Sequence, residues 1–220
     1  VKAKFLTREN RFIAHISVNG KEEICHIKNT GRCRELLIPN AEIYVQTNND
    51  PKRKTKFSLI AVNKGGRLIN MDSQAPNKAV EEWLKSGGLF SDIVNLKREK
   101  TFQNSRFDMY FERGGKKCFM EVKGVTLEND NVVSFPDAPS ERAVKHLKEL
   151  QIAHSMGYET YVLFIVQMSD VKYFEPNAEN HKAFAEELKQ AKASGVNILA
   201  YDCEIEPNSM VIRKPVQVLV

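Results

Sequence analysis

The chain predicts two units in series. A small β-barrel comes first, and an α/β (α+β) unit follows, with a mixed sheet flanked by helices. Three observations carry this. Short strand-like runs punctuated by turn residues fill roughly the first third of the 220 residues. Helical periodicity begins only after Asp72-Ser-Gln-Ala-Pro-Asn77. The apolar run Thr160–Gln167 lies between two helical stretches, as a buried central strand does.

The barrel is read from Phe5 onward. Arg11-Phe-Ile-Ala-His-Ile-Ser-Val18 alternates, Asn19-Gly20 turns, and Glu23-Ile-Cys-His-Ile27 returns. Asn-Gly between alternating runs is a strong hairpin signal. Further strands are expected at Glu42–Gln46 and Phe57–Val62. Several short strands carrying basic loops fit an OB-fold, which binds single strands through a basic groove and stacked aromatics. Phe12, Tyr44 and Phe57 are the aromatics placed for stacking, and each also suits a core position. The boundary is expected near residue 74, giving units 1–74 and 75–220.

Charge supports the division. Residues 1–60 hold 12 Lys and Arg against 6 Asp and Glu, whereas residues 61–220 hold 21 against 22. The basic surplus therefore sits in the first quarter of the chain and predicts an anionic partner, most simply nucleic acid. Lys52, Arg53 and Lys54 form the densest run, which as a lone feature would read as a solvated loop.

Composition excludes several classes. No apolar run approaches the roughly 20 residues that span a bilayer, and no secretory signal is visible at Val1–Phe5, although a start without Met leaves trimming open. The expectation is a cytoplasmic protein with no membrane partner. Cys25, Cys33, Cys118 and Cys203 are scattered, without a C-x-x-C pair, and read as reduced thiols. Gly-x-Ser-x-Gly, P-loop and Gly-x-Gly-x-x-Gly motifs are absent.

In the second unit, Lys78–Lys85 is helical, with Asn77 suited as N-cap and Gly87-Gly88 as the stop. Strands follow at Asn95–Thr101, Arg106–Glu112 and Lys117–Thr126. A helix runs from Glu141 to Met156, and a last helix from Ala178 to Ser194 leads to a strand at Asn197–Tyr201.

The chemistry concentrates on the middle strands. Asp108 lies in the apolar run Phe107–Phe111, and Glu121 and Lys123 lie in Cys118–Val125, joined by Arg113-Gly-Gly-Lys116. Residues two apart on a strand share a face, so Glu121 and Lys123 point the same way. A hairpin closing at Gly114-Gly115 brings Asp108 to the same spot. Two carboxylates and a lysine there suit Mg²⁺ or Mn²⁺ and a phosphodiester, because Mg²⁺ takes oxygen ligands and usually one or two carboxylates. A Glu-x-Lys pair alone would read as a solvated cross-strand pair. The apolar setting argues otherwise, since isolated charges are seldom buried unless paired or bound to metal.

This Asp…Glu-x-Lys arrangement, in the order helix, three strands, helix, strand, resembles the PD-(D/E)xK restriction-endonuclease-like superfamily. The chain further resembles the sugar fermentation stimulation protein A family. That resemblance rests on Asn29-Thr-Gly-Arg32 with Glu35-Leu-Leu, Ala75-Pro-Asn77, Ser105-Arg-Phe-Asp108, Glu121-Val-Lys-Gly-Val-Thr-Leu127, and Phe135-Pro-Asp-Ala-Pro-Ser-Glu-Arg142 with His146. One departure is Phe107 in place of proline before Asp108. The resemblance implies an OB-like domain joined to a nuclease-like domain, and DNA binding.

Other candidates surround this set. The superfamily's first helix often adds an acidic ligand, which makes Glu82, or its neighbour Glu81, a candidate third metal ligand, with a solvated helical face as the alternative. Arg106, Arg142 and Lys145 are candidate phosphate contacts beside Arg32 and Arg34, and His146 is another. Asp137 is the alternative partner for Arg142. Two functional readings stand: a Mg²⁺- or Mn²⁺-dependent nuclease, and a catalytically silent DNA-binding regulator of sugar metabolism on the same fold. A homodimer would suit a binder of duplex DNA.

Overall fold

The computed structural model describes residues 1–29 and 31–220; Thr30, in the polar turn noted above, lies outside them. Six strands come first: β1 (Lys2–Arg8), β2 (Ile13–Val18), β3 (Lys21–Ile27), β4 (Glu42–Thr47), β5 (Phe57–Lys64) and β6 (Arg67–Asn70). Their order is β3-β2-β1-β4-β5-β6, and β3 also pairs with β5, so five strands close into an OB-like barrel. The β2–β3 turn falls on Asn19 and Gly20, both with positive φ, as a two-residue hairpin requires. Alternate residues Ala14 and Ile16 point inward and are buried.

The remaining elements are α1 (Ala75–Lys85), β7 (Val94–Phe102), β8 (Ser105–Arg113), β9 (Lys116–Val125), β10 (Leu127–Asn129), β11 (Val132–Phe135), α2 (Glu141–Ser155), β12 (Glu159–Val166), β13 (Tyr173–Pro176), α3 (Lys182–Ala193), β14 (Asn197–Glu206), β15 (Ser209–Pro215) and β16 (Gln217–Val218). The main sheet has the order β15-β14-β12-β9-β8-β7. Strands β9, β12 and β14 run parallel, and antiparallel hairpins extend both edges. A second sheet, β10-β11-β13-β16, was not anticipated. Its strands have two to four residues, too short for a period to show.

Strand β12 is central, and Thr160–Val166 are all buried. Helix α1 covers one face through Val80 and Leu84, which pack with Met109, Met120 and Leu163. On the other face, α2 and α3 share a core with the barrel, from Phe5 and Ile16 through Phe119 and Phe164 to Leu147 and Phe184. Each fully buried side chain of this size contributes roughly 1.5–3 kcal/mol. Ser140 caps α2 by accepting a bond from Ala143 N–H. Helix α1 begins three residues earlier than expected, with Pro76 in its first turn, and has no side-chain cap bond.

The barrel is tied to the second unit by buried polar bonds. Gln167 Nε2 donates to the Asn70 carbonyl and side-chain oxygens at 3.0 Å each, and to the Asp72 carbonyl at 3.2 Å. Gln167 Oε1 lies against Gly124, where a Cβ would stand 2.4 Å from it and 3.0 Å from Pro76 Cγ. Gly124→Ala should therefore lower stability by about 1–3 kcal/mol, seen as a reduced urea midpoint; an unchanged midpoint would mean that Gln167 gives way freely.

All four cysteines are free and buried, and burial pushes each thiol up to about 12. They are inert thiols. Among the described residues, no helix is long and apolar enough to cross a membrane.

Candidate active site

The site forms where two strands part. Gly114 and Gly115, both at positive φ, close the β8–β9 hairpin, and pairing runs from Arg113↔Lys116 to Met109↔Met120. There the ladder stops. The next residue back on β8 is Asp108, whose Oδ2 accepts the Val122 N–H at 2.9 Å in place of a strand partner. Beyond that point β9 keeps its pairing with β12. Asp108 Oδ1 accepts from Asn77 Nδ2 at 2.9 Å, so the first turn of α1 reaches the site.

Glu121 and Lys123 share one face of β9, with Lys123 Nζ 2.7 Å from Glu121 Oε1. His146 of α2 contacts the same oxygen through Nδ1. Arg142 Nε donates to His146 Nε2 at 3.4 Å. That bond makes Nε2 the acceptor, so the proton sits on Nδ1 and is donated to Glu121. Glu121 is 3% exposed and His146 4%. Glu121 Oε2 is buried with no hydrogen-bond partner.

Electrostatics separates the two acids. Burial, and then the neighbouring Glu121 charge, pushes Asp108 up to about 6. Burial acts upward on Glu121 too, but Lys123 and His146 more than offset it and hold Glu121 below the ordinary carboxylate range. An acid raised on folding contributes stability while protonated and loses it on ionising. The Asp108 contribution is thus complete below its ordinary value of 3.8 and is lost as pH rises through about 6. Asp108→Asn should gain on wild type by roughly 2–3 kcal/mol between pH 4 and pH 8. Thermal unfolding across that range checks this, and a pH-independent difference would contradict it.

The donor set fits a hard divalent cation. It offers two carboxylates, one with a buried free oxygen, and an unpaired buried acceptor is costly to leave unmade. Among the described residues no group of three His, Cys, Asp or Glu is arranged around one point to hold a metal; Mg²⁺ commonly uses only one or two protein carboxylates.

The structure does not bring Glu82 to this cluster. Its side chain is 68% exposed and lies 3.9 Å from Lys78. Asn77 faces Asp108, and five residues turn a helix about 140° past that face. Glu81, four residues on, is held by Lys85 and Arg98. Of the cationic candidates, Arg142 joins the site through His146. Lys145 is tied to the Asn104 carbonyl at 2.7 Å and to Glu149, and Arg106 to Glu99. Arg32, Arg34, Lys52, Arg53 and Lys54 are exposed on barrel loops. Asp137 pairs not with Arg142 but with the barrel, accepting Cys33 N–H at 3.0 Å. Asn77 is the partner that sequence reasoning missed: the sequence suits it to a helix cap, and the structure turns its amide to Asp108 instead. His146 turns inward to Glu121 instead of outward to phosphate.

An OB-like barrel fused to a nuclease-like mixed sheet, with Asp, Glu and Lys gathered where the sheet strands part, defines the class. Comparison with known proteins then specifies the family. Residues 6–71 match the family model described as the SfsA N-terminal OB domain, and residues 74–209 match the sugar fermentation stimulation protein RE domain. The chain is 57% identical to a sugar fermentation stimulation protein homolog of Clostridium beijerinckii, over 100% of this chain and 97% of that protein. It is also 57% identical to a homolog from Desulfitobacterium hafniense, over 95% and 91%. The solved structure of Pyrococcus furiosus SfsA in complex with Ca²⁺ superposes with a TM-score of 0.91 at 28% identity, over 100% of this chain and 95% of that one. The chain belongs to the sugar fermentation stimulation protein family.

Proposed function

We propose that the chain is a Mg²⁺- or Mn²⁺-dependent nuclease acting on DNA. The observation that carries this reading is the Asp108–Glu121 pair, in which one acid is pushed up to about 6 and the other keeps a buried oxygen free. The Ca²⁺ of the Pyrococcus furiosus relative supports a divalent cation on this fold. Asp108 and Glu121 would hold it. Bound there, a divalent cation makes coordinated water a better nucleophile and spreads the charge that develops on phosphorus. Lys123 places its ammonium beside Glu121, where it orients the attacking water or offsets charge on the phosphorane. His146 fixes Glu121, and Arg142 keeps guanidinium N–H groups beyond its Nε for a phosphate oxygen. The exposed cations of the barrel loops supply salt-dependent attraction to the strand. Arg106 and Lys145 add less, since other groups hold them.

A second reading, a silent DNA-binding regulator, is favoured by one feature: Lys123 and His146 already satisfy Glu121 Oε1 from within the protein. One assay separates the two. Wild-type protein is incubated with labelled single- and double-stranded DNA and RNA in Mn²⁺, Mg²⁺ or EDTA. Metal-dependent cutting supports the nuclease and names its substrate. Intact binding without cutting supports the regulator.

A further inference from the structure

Phe12 is the one aromatic ring among the exposed large hydrophobics of the described residues, at 47% exposure. Tyr44 is half-buried and Phe57 buried, so of the three aromatics in the barrel considered for stacking only Phe12 faces solvent so openly. Arg11 places its guanidinium carbon 5.7 Å from the Phe12 ring centroid. The turn that presents them is held firmly. Asn10 Oδ1 accepts from Phe12 N–H at 2.9 Å and Ile13 N–H at 3.1 Å. The Arg8 guanidinium donates to the Asn10 and Arg11 carbonyls, and also to those of Asn29, Gly31 and Arg32 across from them. One buttress therefore fixes two barrel loops.

Behind Arg11 lies a recess of about 420 Å³ between the barrel and the nuclease-like unit. Asn29, Gly31 and Ser73 form its barrel wall with Arg11; Gly124, directly after Lys123, and Ser140, at the start of α2, belong to the far wall. The volume falls in the range of about 300–1,000 Å³ that suits a small-molecule-sized unit such as one nucleotide. A base-paired duplex does not fit a recess of that size. An exposed aromatic with an adjacent guanidinium is the sequence-tolerant platform on which unpaired bases stack.

We propose that the Arg11–Phe12 turn and this recess seat single-stranded nucleic acid. A base stacks on Phe12, Arg11 meets its phosphate, and the following nucleotide enters the recess toward Lys123. The inference rests on the nuclease reading only for what happens to the strand at Lys123. Binding itself is independent of cleavage and is measured in EDTA.

Fluorescence anisotropy with a labelled oligothymidylate, and with a duplex of the same length, tests it. Phe12→Ala should weaken single-strand binding about tenfold and duplex binding by less than about twofold. Phe12→Trp should retain single-strand affinity. Arg11→Ala should weaken single-strand binding and reduce its salt slope by about one. Unchanged single-strand affinity in Phe12→Ala, or equal loss on both substrates, would overturn the seat. Asp108→Ala in the same assay keeps the two proposals apart, because it removes the cutting site and leaves the platform whole. A Phe12-dependent preference for single strands in a protein that never cuts would sink the nuclease alone.

Discussion

Asp108→Ala is expected to lower metal-dependent cleavage on the order of a thousandfold, the scale on which loss of one electrostatic contributor to a transition state shows. Asp108 has two structural duties that complicate the result: it accepts the Val122 N–H and the Asn77 amide. Asp108→Asn resolves this. It keeps an oxygen for Val122 and a polar group for Asn77 while removing the charge. If the carboxylate is a metal ligand, both variants lose cutting and both lose Mn²⁺ affinity by calorimetry. If Asp108 is only a strut where the ladder opens, Asp108→Asn cuts like wild type and the metal reading fails. With burial and Glu121 pushing Asp108 up to about 6, a cation held there would displace a proton from it. Mn²⁺ affinity should then rise with pH through that region in wild type and stay flat in Asp108→Asn.

The hairpin that builds this site was legible from local chemistry. Gly114-Gly115 supplied the positive φ of a two-residue turn, and alternation set Glu121 and Lys123 on one face, 2.7 Å apart. The buried run Tyr161–Val166 marked the central strand for the same reason, since a strand covered on both faces has no polar period. What alternation does not encode is where a ladder ends. Asp108 faces Val122 N–H because β8 and β9 separate after Met109↔Met120, a point that no residue pattern along either strand marks. Asn77 and His146 reach the site for a tertiary reason. A helical period names the face a residue shares, but the crossing of helix over sheet decides which side chain lands on a carboxylate. Glu82 was expected there from its helix alone, and rotation about the axis took it away. The β14–β15 hairpin was different. Pro207-Asn208 followed by Met210, Val211 and Ile212 is a turn and strand readable from local chemistry alone.

His146→Ala is expected to lower both cleavage and Mn²⁺ affinity by about 10- to 100-fold, the range seen when a group that orients a metal ligand is lost. The reason lies in how Glu121 is shared. His146 and Lys123 both hold Oε1, and this leaves Oε2 as the free oxygen. Without the imidazole, Lys123 alone restrains the carboxylate, and the glutamate can rotate so that its ammonium-bound oxygen is no longer fixed. The ring also packs edge-on to Phe107, at 6.3 Å between centroids, so alanine leaves a cavity as well. Loss of stability would therefore accompany loss of function whatever the role. His146→Asn separates the two. Its amide nitrogen stands close to where Nδ1 stood and restores a donor to Glu121, but it fills none of the space against Phe107. If alignment of Glu121 is the role, His146→Asn recovers most of the metal affinity while its thermal stability stays near that of His146→Ala. If packing is the role, affinity and stability fall together in both variants. A third pattern, with cleavage lost and metal affinity intact in His146→Ala, would place His146 on the phosphate instead of behind Glu121.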